Sequence, residues 1–193
     1  MFMVIKGAAL RNGLVFNPKT FLIDFEIGMI VSIRETFGYE TSIKGCLFHL
    51  GQAIWRKVQY LGLIHDCNQN GEIKKTVRRI CSLALVPKDQ IDYCWIEIHA
   101  QAPEHEGLNR LMSYFVETYL DTDVCIFNRS IWNHYETDHT RTINHLEGWH
   151  AALNRTISRP HPNIFILIKE LKTSSKILSL IFCLKKNVVE LQK

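Results

Sequence analysis

The sequence predicts an α/β fold with dominant helical content. Three observations carry that expectation. Two short apolar runs, each followed by a helical stripe, lie between residues 20 and 61. From Lys74 onward the apolar period is helical throughout. The chain of 193 residues has 47% hydrophobic and 22% charged residues, which fits a packed globular domain and excludes wholesale disorder, collagen-like repetition and a coiled-coil rod. The net charge of +4 would suit a polyanionic partner but is too mild to identify one.

Residues 1–16 form an N-terminal segment with no sustained apolar region of the kind a secretory leader carries, so none is expected. Residues 20–24, TFLID, are a short apolar run ending in an acid and read as a strand; FEIGMIVSIRETF follows with Phe25, Met29, Ile30 and Ile33 at helical spacing. The pattern repeats in SIKGCLFHL and then in HLGQAIWRKVQYLGL, where Leu50, Ala53, Ile54, Val58 and Leu61 share a face. Two strand–helix units in sequence argue for an α/β layer over 17–66.

The polar segment HDCNQNGEIKK, from His65 to Lys75, reads as a loop. Residues 67–140 then read as a helical region. Its stripes are Val77, Ile80, Cys81 and Ala84; after Pro87, Ile91, Cys94, Trp95 and Ile98; and after Pro103, Leu108, Leu111, Met112, Phe115 and Tyr119. A polar stretch with Trp132, Asn133 and several histidines precedes RTINHLEGWHAALNRTIS, which resumes helical spacing, and a helix is expected to start at Pro162 or Asn163. Together these give a third segment, 141–172, and a divergent tail, 173–193. The greasiest stretch, from Asn163 to Leu184, is broken by Lys169, Glu170, Lys172 and Lys176, so no membrane span is expected. Six scattered cysteines fit a reducing compartment, nuclear or otherwise cytoplasmic, better than a disulfide framework.

Several residues are candidates for chemistry. Asp24 closes a strand, where α/β folds place reactive groups, and equally suits the N-cap of the helix after it. Glu147 forms a polar ladder with Asn144 and His150 on one helix, which also describes an ordinary solvated face. Cys46 and His49 have a spacing found in zinc sites, but His65 and Cys67 are awkwardly placed to complete four ligands, so zinc is not expected and a packed thiol beside a hydrogen-bonded imidazole is preferred. Lys74, Lys75, Arg78 and Arg79 share a helical stripe suited to phosphates or simply to water. Trp132 and Trp149 suit base stacking less well than core packing.

Taken together, Asp24-Phe25-Glu26, Cys46 to His49, Gln52 with Arg56, and the run from Arg141 to His150 resemble, in order and spacing, the C-terminal part of the catalytic domain of Mutator-like element (MULE) transposases. The resemblance spans residues 17–171. It departs at Ile143, where that family usually carries asparagine; Asn144 keeps the second one.

The resemblance implies an incomplete ribonuclease H-like fold interrupted by an all-helical insertion. It also implies a DDE site in which Asp24 is the second acid and Glu147 the third, both metal ligands. Such acids supply hard oxygen donors for Mg²⁺ or Mn²⁺, which assist phosphodiester displacement. Arg56, Arg141, Asn144, Cys46, His49 and His150 would surround the site, with transposon and target DNA as partners in the nucleus. The first acid of the family lies well upstream of the DFE segment, yet none of the 23 residues before Asp24 is acidic. The expectation is a fragment inactive by itself, with an open sheet edge that favours self-association. The alternative is a non-enzymatic DNA- or protein-binding factor of transposon origin.

Overall fold

The computed structural model describes residues 1–137, 140–157 and 163–173. The chain divides into two compact units, Met1–Ile143 and Asn144–Lys193. The described residues are mostly helical, with one small parallel sheet.

The first unit begins with a helix, α1 (Phe2–Arg11), which the sequence did not announce. Its only buried side chain is Phe2, whose ring meets Phe21 and Phe37 edge-on at 5.3 and 5.6 Å. Anchored by a single ring, α1 lacks the broad apolar stripe by which helices are recognised. Strands β1 (Thr20–Ile23) and β2 (Ser42–Gly45) pair in parallel, with Thr20 opposite Ser42 and Ile23 opposite Gly45. Helix α2 (Ile27–Phe37) supplies the crossover that a parallel pair requires. It buries Ile33 completely against Ile23 and Ile43, forming a small sheet-side core. Gly38 ends α2 at φ 81°, where only glycine avoids a Cβ clash, while its N–H reaches the Arg34 carbonyl.

After β2 the chain becomes helical. Helix α3 (Leu47–Tyr60) turns Leu50, Ile54 and Val58 inward. The expected loop at 65–75 is a correction: α4 (Ile64–Gln69) and α5 (Gly71–Ser82) occupy it, separated by Asn70. The Asn and Gly that suggested a turn are helix-start residues, because the Asn70 side chain accepts the Glu72 N–H at 2.9 Å. Helices α6 (Ile91–Ala100) and α7 (Glu106–Phe115) follow, and α7 runs into a π-helical turn, Val116–Leu120. A short helix, α8 (Arg129–Trp132), completes the body. One core joins α3 to α7, with Leu63, Ile80, Leu108, Leu111 and Phe115 nearly or fully buried. Trp132 belongs to this core and donates its indole N–H to the Tyr119 carbonyl at 2.8 Å, so it is unavailable for stacking on a base.

The second unit contains α9 (Asn144–Ile157) and a helix over residues 164–173. The helix expected to start at Pro162 or Asn163 is entered from Asn163, whose side chain accepts the Phe165 N–H at 2.9 Å; Pro162 and most of the 173–193 tail lie outside the described residues. No described helix is long and apolar enough to cross a membrane. The five described cysteines are free thiols.

Sheet and helical body meet at Gly45. Phe25 has φ 63°, a left-handed backbone that bulky residues rarely adopt. This stops β1 at Ile23 and delays α2 until Ile27, later than the apolar spacing suggested. The Phe25 ring lies against Phe127 at 5.1 Å and Tyr119 at 6.1 Å, both part of the helical core. A Cβ on Gly45 would come within 2.6 and 2.7 Å of the two Phe25 Cε atoms. From the other side, His134 Nε2 donates to the Gly45 carbonyl at 2.6 Å, and the His134 backbone N–H donates to the Ala84 carbonyl at 2.6 Å. His134 is fully buried, and its Nδ1 has no partner among the described residues.

Two outcomes are expected. Gly45→Ala costs about 1–3 kcal/mol by overpacking; urea denaturation measures this, and the cost shrinks in a Phe25→Leu background if the ring is the obstacle. Burial, followed by the nearby Lys44 and Arg141 charges, holds the His134 pKa below the ordinary imidazole value, although its bond to Gly45 opposes the shift. The folded state therefore refuses a proton that the unfolded chain accepts below about pH 6.5. Stability from this residue is present above that pH and declines as the pH falls through it. Thermal melts from pH 7.5 to 5.5 should lose less stability in His134→Gln than in the wild type.

Candidate functional site

The two strands end side by side, and of the residues singled out by the sequence Asp24, Cys46 and Arg141 lie at this junction. Ile23 passes its carbonyl to the Cys46 N–H at 2.6 Å, continuing the ladder one step past β2. Asp24 is the next residue on the first strand and is exposed, whereas Phe25 after it is half-buried. The left-handed turn at Phe25 thus separates the two neighbours: the ring enters the core and the carboxylate stays in water. The N-cap alternative for Asp24 does not describe this junction, because the N-cap of α2 is Glu26 and no side-chain cap bond forms there.

Cys46 is completely buried at the start of α3. Its sulfur accepts the Ile143 N–H at 3.4 Å, while the Leu47 N–H donates to the Arg141 carbonyl at 2.8 Å. The chain thus returns from the helical body onto the strand-to-helix junction, and two motif positions far apart in sequence, Cys46 and Arg141, are brought together. Arg141 also donates its Nε to the Thr137 carbonyl at 2.9 Å, folding its own approach into a turn. Its side chain is therefore spent partly on local structure. His49 stands on the first turn of α3, half-buried, with its ring 5.6 Å from Phe48. The packed thiol expected at Cys46 is what the structure contains.

Lys44 stands on β2, one residue before Gly45. Its ammonium donates to the Asn133 carbonyl at 2.9 Å. Burial, then the neighbouring Lys88 charge, lowers its pKa, and Glu136 partly offsets this. Glu136 in turn binds Lys88 at 3.1 Å. The sequence reading passed over Asn133 and His134 as site-building residues. Asn133 is buried, donates to the Val86 carbonyl at 2.7 Å and accepts the Tyr135 N–H at 3.2 Å. The available signal was two strongly polar residues directly after a tryptophan, in a stretch without helical period.

The remaining candidates separate. Glu147, Asn144 and His150 lie on α9 in the second unit, where all three are exposed, and Trp149 packs its ring 5.1 Å from that of His150. On α5, Lys74 and Arg78 are exposed one turn apart. Lys75 instead pairs with Glu72 at 3.3 Å, and Arg79 donates to Gln101 at 2.7 Å. The expected four-residue basic stripe is therefore narrowed to two cations, with the other pair engaged by neighbours. Arg56 is exposed on α3.

A divalent ion needs several hard donors converging on one point. Among the described residues, no three His, Cys, Asp or Glu side chains converge in this way. The first unit offers Asp24 as an exposed oxygen donor at the end of β1, and no coordination set is assigned around it. No protein-family model, curated protein or solved structure matches this chain.

Proposed function

We propose that this chain is a fragment of a MULE-type DDE transposase catalytic region, with an incomplete ribonuclease H-like fold, and that it is inactive by itself as a DNA-cleaving enzyme. One observation carries this reading. An exposed Asp24 ends the first strand of a parallel β–α–β unit, beside the buried Cys46 and the returning Arg141 backbone. Open α/β sheets use this strand edge for ligands and reactive groups. The left-handed Phe25 next to Asp24 supports the same reading, since backbone strain of this kind concentrates at functional positions.

Asp24 and Glu147 are the acids we assign to the ancestral site. Mg²⁺ or Mn²⁺ would supply Lewis-acid assistance to phosphodiester displacement there. What the chain's own residues contribute is positional. The Phe25 ring fixes the turn that leaves Asp24 in solvent, and Cys46 and Leu47 tie residues 141–143 to the same junction. DNA is the proposed partner, with Lys74 and Arg78 as the exposed phosphate contacts on α5 and a nuclear setting as the corollary.

A second reading, a non-enzymatic DNA- or protein-binding factor, is favoured by the size of the helical core. That core runs from Leu50 to Trp132, while the sheet-side core contains only four buried residues. A scaffold of that kind can present binding surfaces without any reaction at the strand end.

Incubation of the 193-residue chain with supercoiled plasmid in Mg²⁺ or Mn²⁺ should give no cleavage above that of Asp24→Ala and Glu147→Ala controls. Robust wild-type turnover abolished by either substitution would overturn the inactive fragment and establish a nuclease. DNA binding that weakens steeply with salt, without cleavage, supports the second reading.

A further inference from the structure

The surface where α3 meets α7 carries charge that the strand-end site does not use. An open groove of about 400 Å³ is lined there by Ala53, Arg56, Lys57, Tyr60 and Tyr114. The Lys57 ammonium lies 4.6 Å from the Tyr114 ring centroid and 5.1 Å from that of Tyr60, so two rings hold it in place. Arg56 stands beside it, exposed, and Tyr60 is 79% exposed. Helix α3 contains no acidic residue, and no acid lines the groove. None of the ion pairs formed among the described residues involves Arg56 or Lys57. Arg110 lies one helical turn before Tyr114 on α7, adding a further cation to that helix face.

We propose that this groove is a docking site for an acidic peptide segment of a protein partner, with Asp or Glu carboxylates on Arg56 and Lys57. Charge complementarity is the first reason: the groove carries two adjacent cations and no acid, so an anionic guest supplies the charge it lacks. The second is the composition of the rim, since tyrosine and arginine anchors are what protein interfaces enrich. The third separates peptide from nucleic acid. Non-specific single-strand binding depends on ring faces free to stack on bases. Here Lys57 occupies one face of each tyrosine and Tyr114 also meets Tyr119 edge-on, so Tyr60 alone keeps an open face and the groove has no succession of stacking platforms. The guanidinium of Arg56 can grip a carboxylate with two parallel hydrogen bonds, while Lys57 acts as a pre-positioned point charge. The proposal shares Arg56 with the motifs of the resemblance but does not rest on the transposase reading, because neither Asp24 nor Glu147 takes part.

Fluorescence anisotropy of a fluorescein-labelled octaglutamate peptide, titrated at low salt with the full chain, tests it. Saturable binding is expected, weakened by about tenfold in R56Q/K57Q, which removes two charge-assisted contacts, and by less than about twofold in R11Q/K19Q, which removes two exposed cations elsewhere. Both variants alter solvent-facing charges, and circular dichroism checks that each retains the fold. A labelled eight-nucleotide oligothymidylate is the competing probe. The proposal is overturned by absence of saturable peptide binding, or by equal losses in the two variants, which would mean diffuse charge attraction. It is also overturned if the oligothymidylate binds more tightly and is the ligand lost in R56Q/K57Q, which would make the groove a nucleic-acid site.

Discussion

The contact between the Phe25 ring and the Cα of Gly45 is the constraint on which the first unit depends. A side chain at position 45 would occupy the space the ring fills. With the ring seated, Phe25 must take its left-handed backbone, β1 must end at Ile23, and α2 cannot begin before Ile27. The same ring reaches Tyr119 and Phe127, so one side chain ties the sheet layer to the helical core. Gly45 is held from the other side by His134, which gives the joint two independent restraints, one steric and one a buried hydrogen bond. Strain at Phe25 of the order of 1–3 kcal/mol is sustainable only because surrounding contacts over-determine it.

Much of the fold was legible because it rests on periodicity. The stripes through Leu50, Ile54 and Val58, through Ile91 and Ile98, and through Leu108, Leu111 and Phe115 are buried as their spacing indicates. What failed did so for identifiable reasons. Residues 65–75 have too few apolar positions to display a period, and their helices are secured by the Asn70 cap and by the buried Cys67 and Ile73. Helix α1 is anchored at one residue and leaves Met3, Val4 and Leu10 exposed, so it has no stripe to find. At the candidate site, Asp24 and Cys46 were legible from their place at strand ends. Asn133 and His134 were not, because a residue that acts by donating to a distant carbonyl leaves no local pattern. Gly45 was equally silent: nothing in SIKGC distinguishes a strand glycine from one required by a ring packed on its Cα.

Charge is distributed unevenly over the helical body. On α5, Glu72 lies one turn before Lys75 and neutralises part of the basic stripe within the same helix. Arg129 is bound by Asp92, and that pairing, above all its side-chain hydrogen bond, holds the Asp92 pKa below the ordinary carboxylate value. Lys88 is bound by Glu136. Helix α3 carries two adjacent cations with no acid on their own helix, and one of them, Lys57, is placed against two aromatic rings. A net charge of +4 conceals this difference, since it counts satisfied and unsatisfied cations alike. Surface ion pairs contribute little to stability, so the consequence of unpaired charge is for recognition and not for folding.

These two features occupy different parts of one unit and make different demands on it. The strand-end carboxylate depends on a strained turn and on the small core of Phe2, Ile23, Ile33 and Ile43. The α3–α7 surface depends on the large core, in which Val58, Leu63, Leu108 and Leu111 are almost entirely excluded from water. Cavity or packing damage is felt most where a core is small, because fewer contacts remain to compensate. Sequence drift would therefore erode the geometry around Asp24 before it disturbed the helical surface. Substitutions around Asp24 would leave the α3–α7 face in place, because that face is held by the other and larger core.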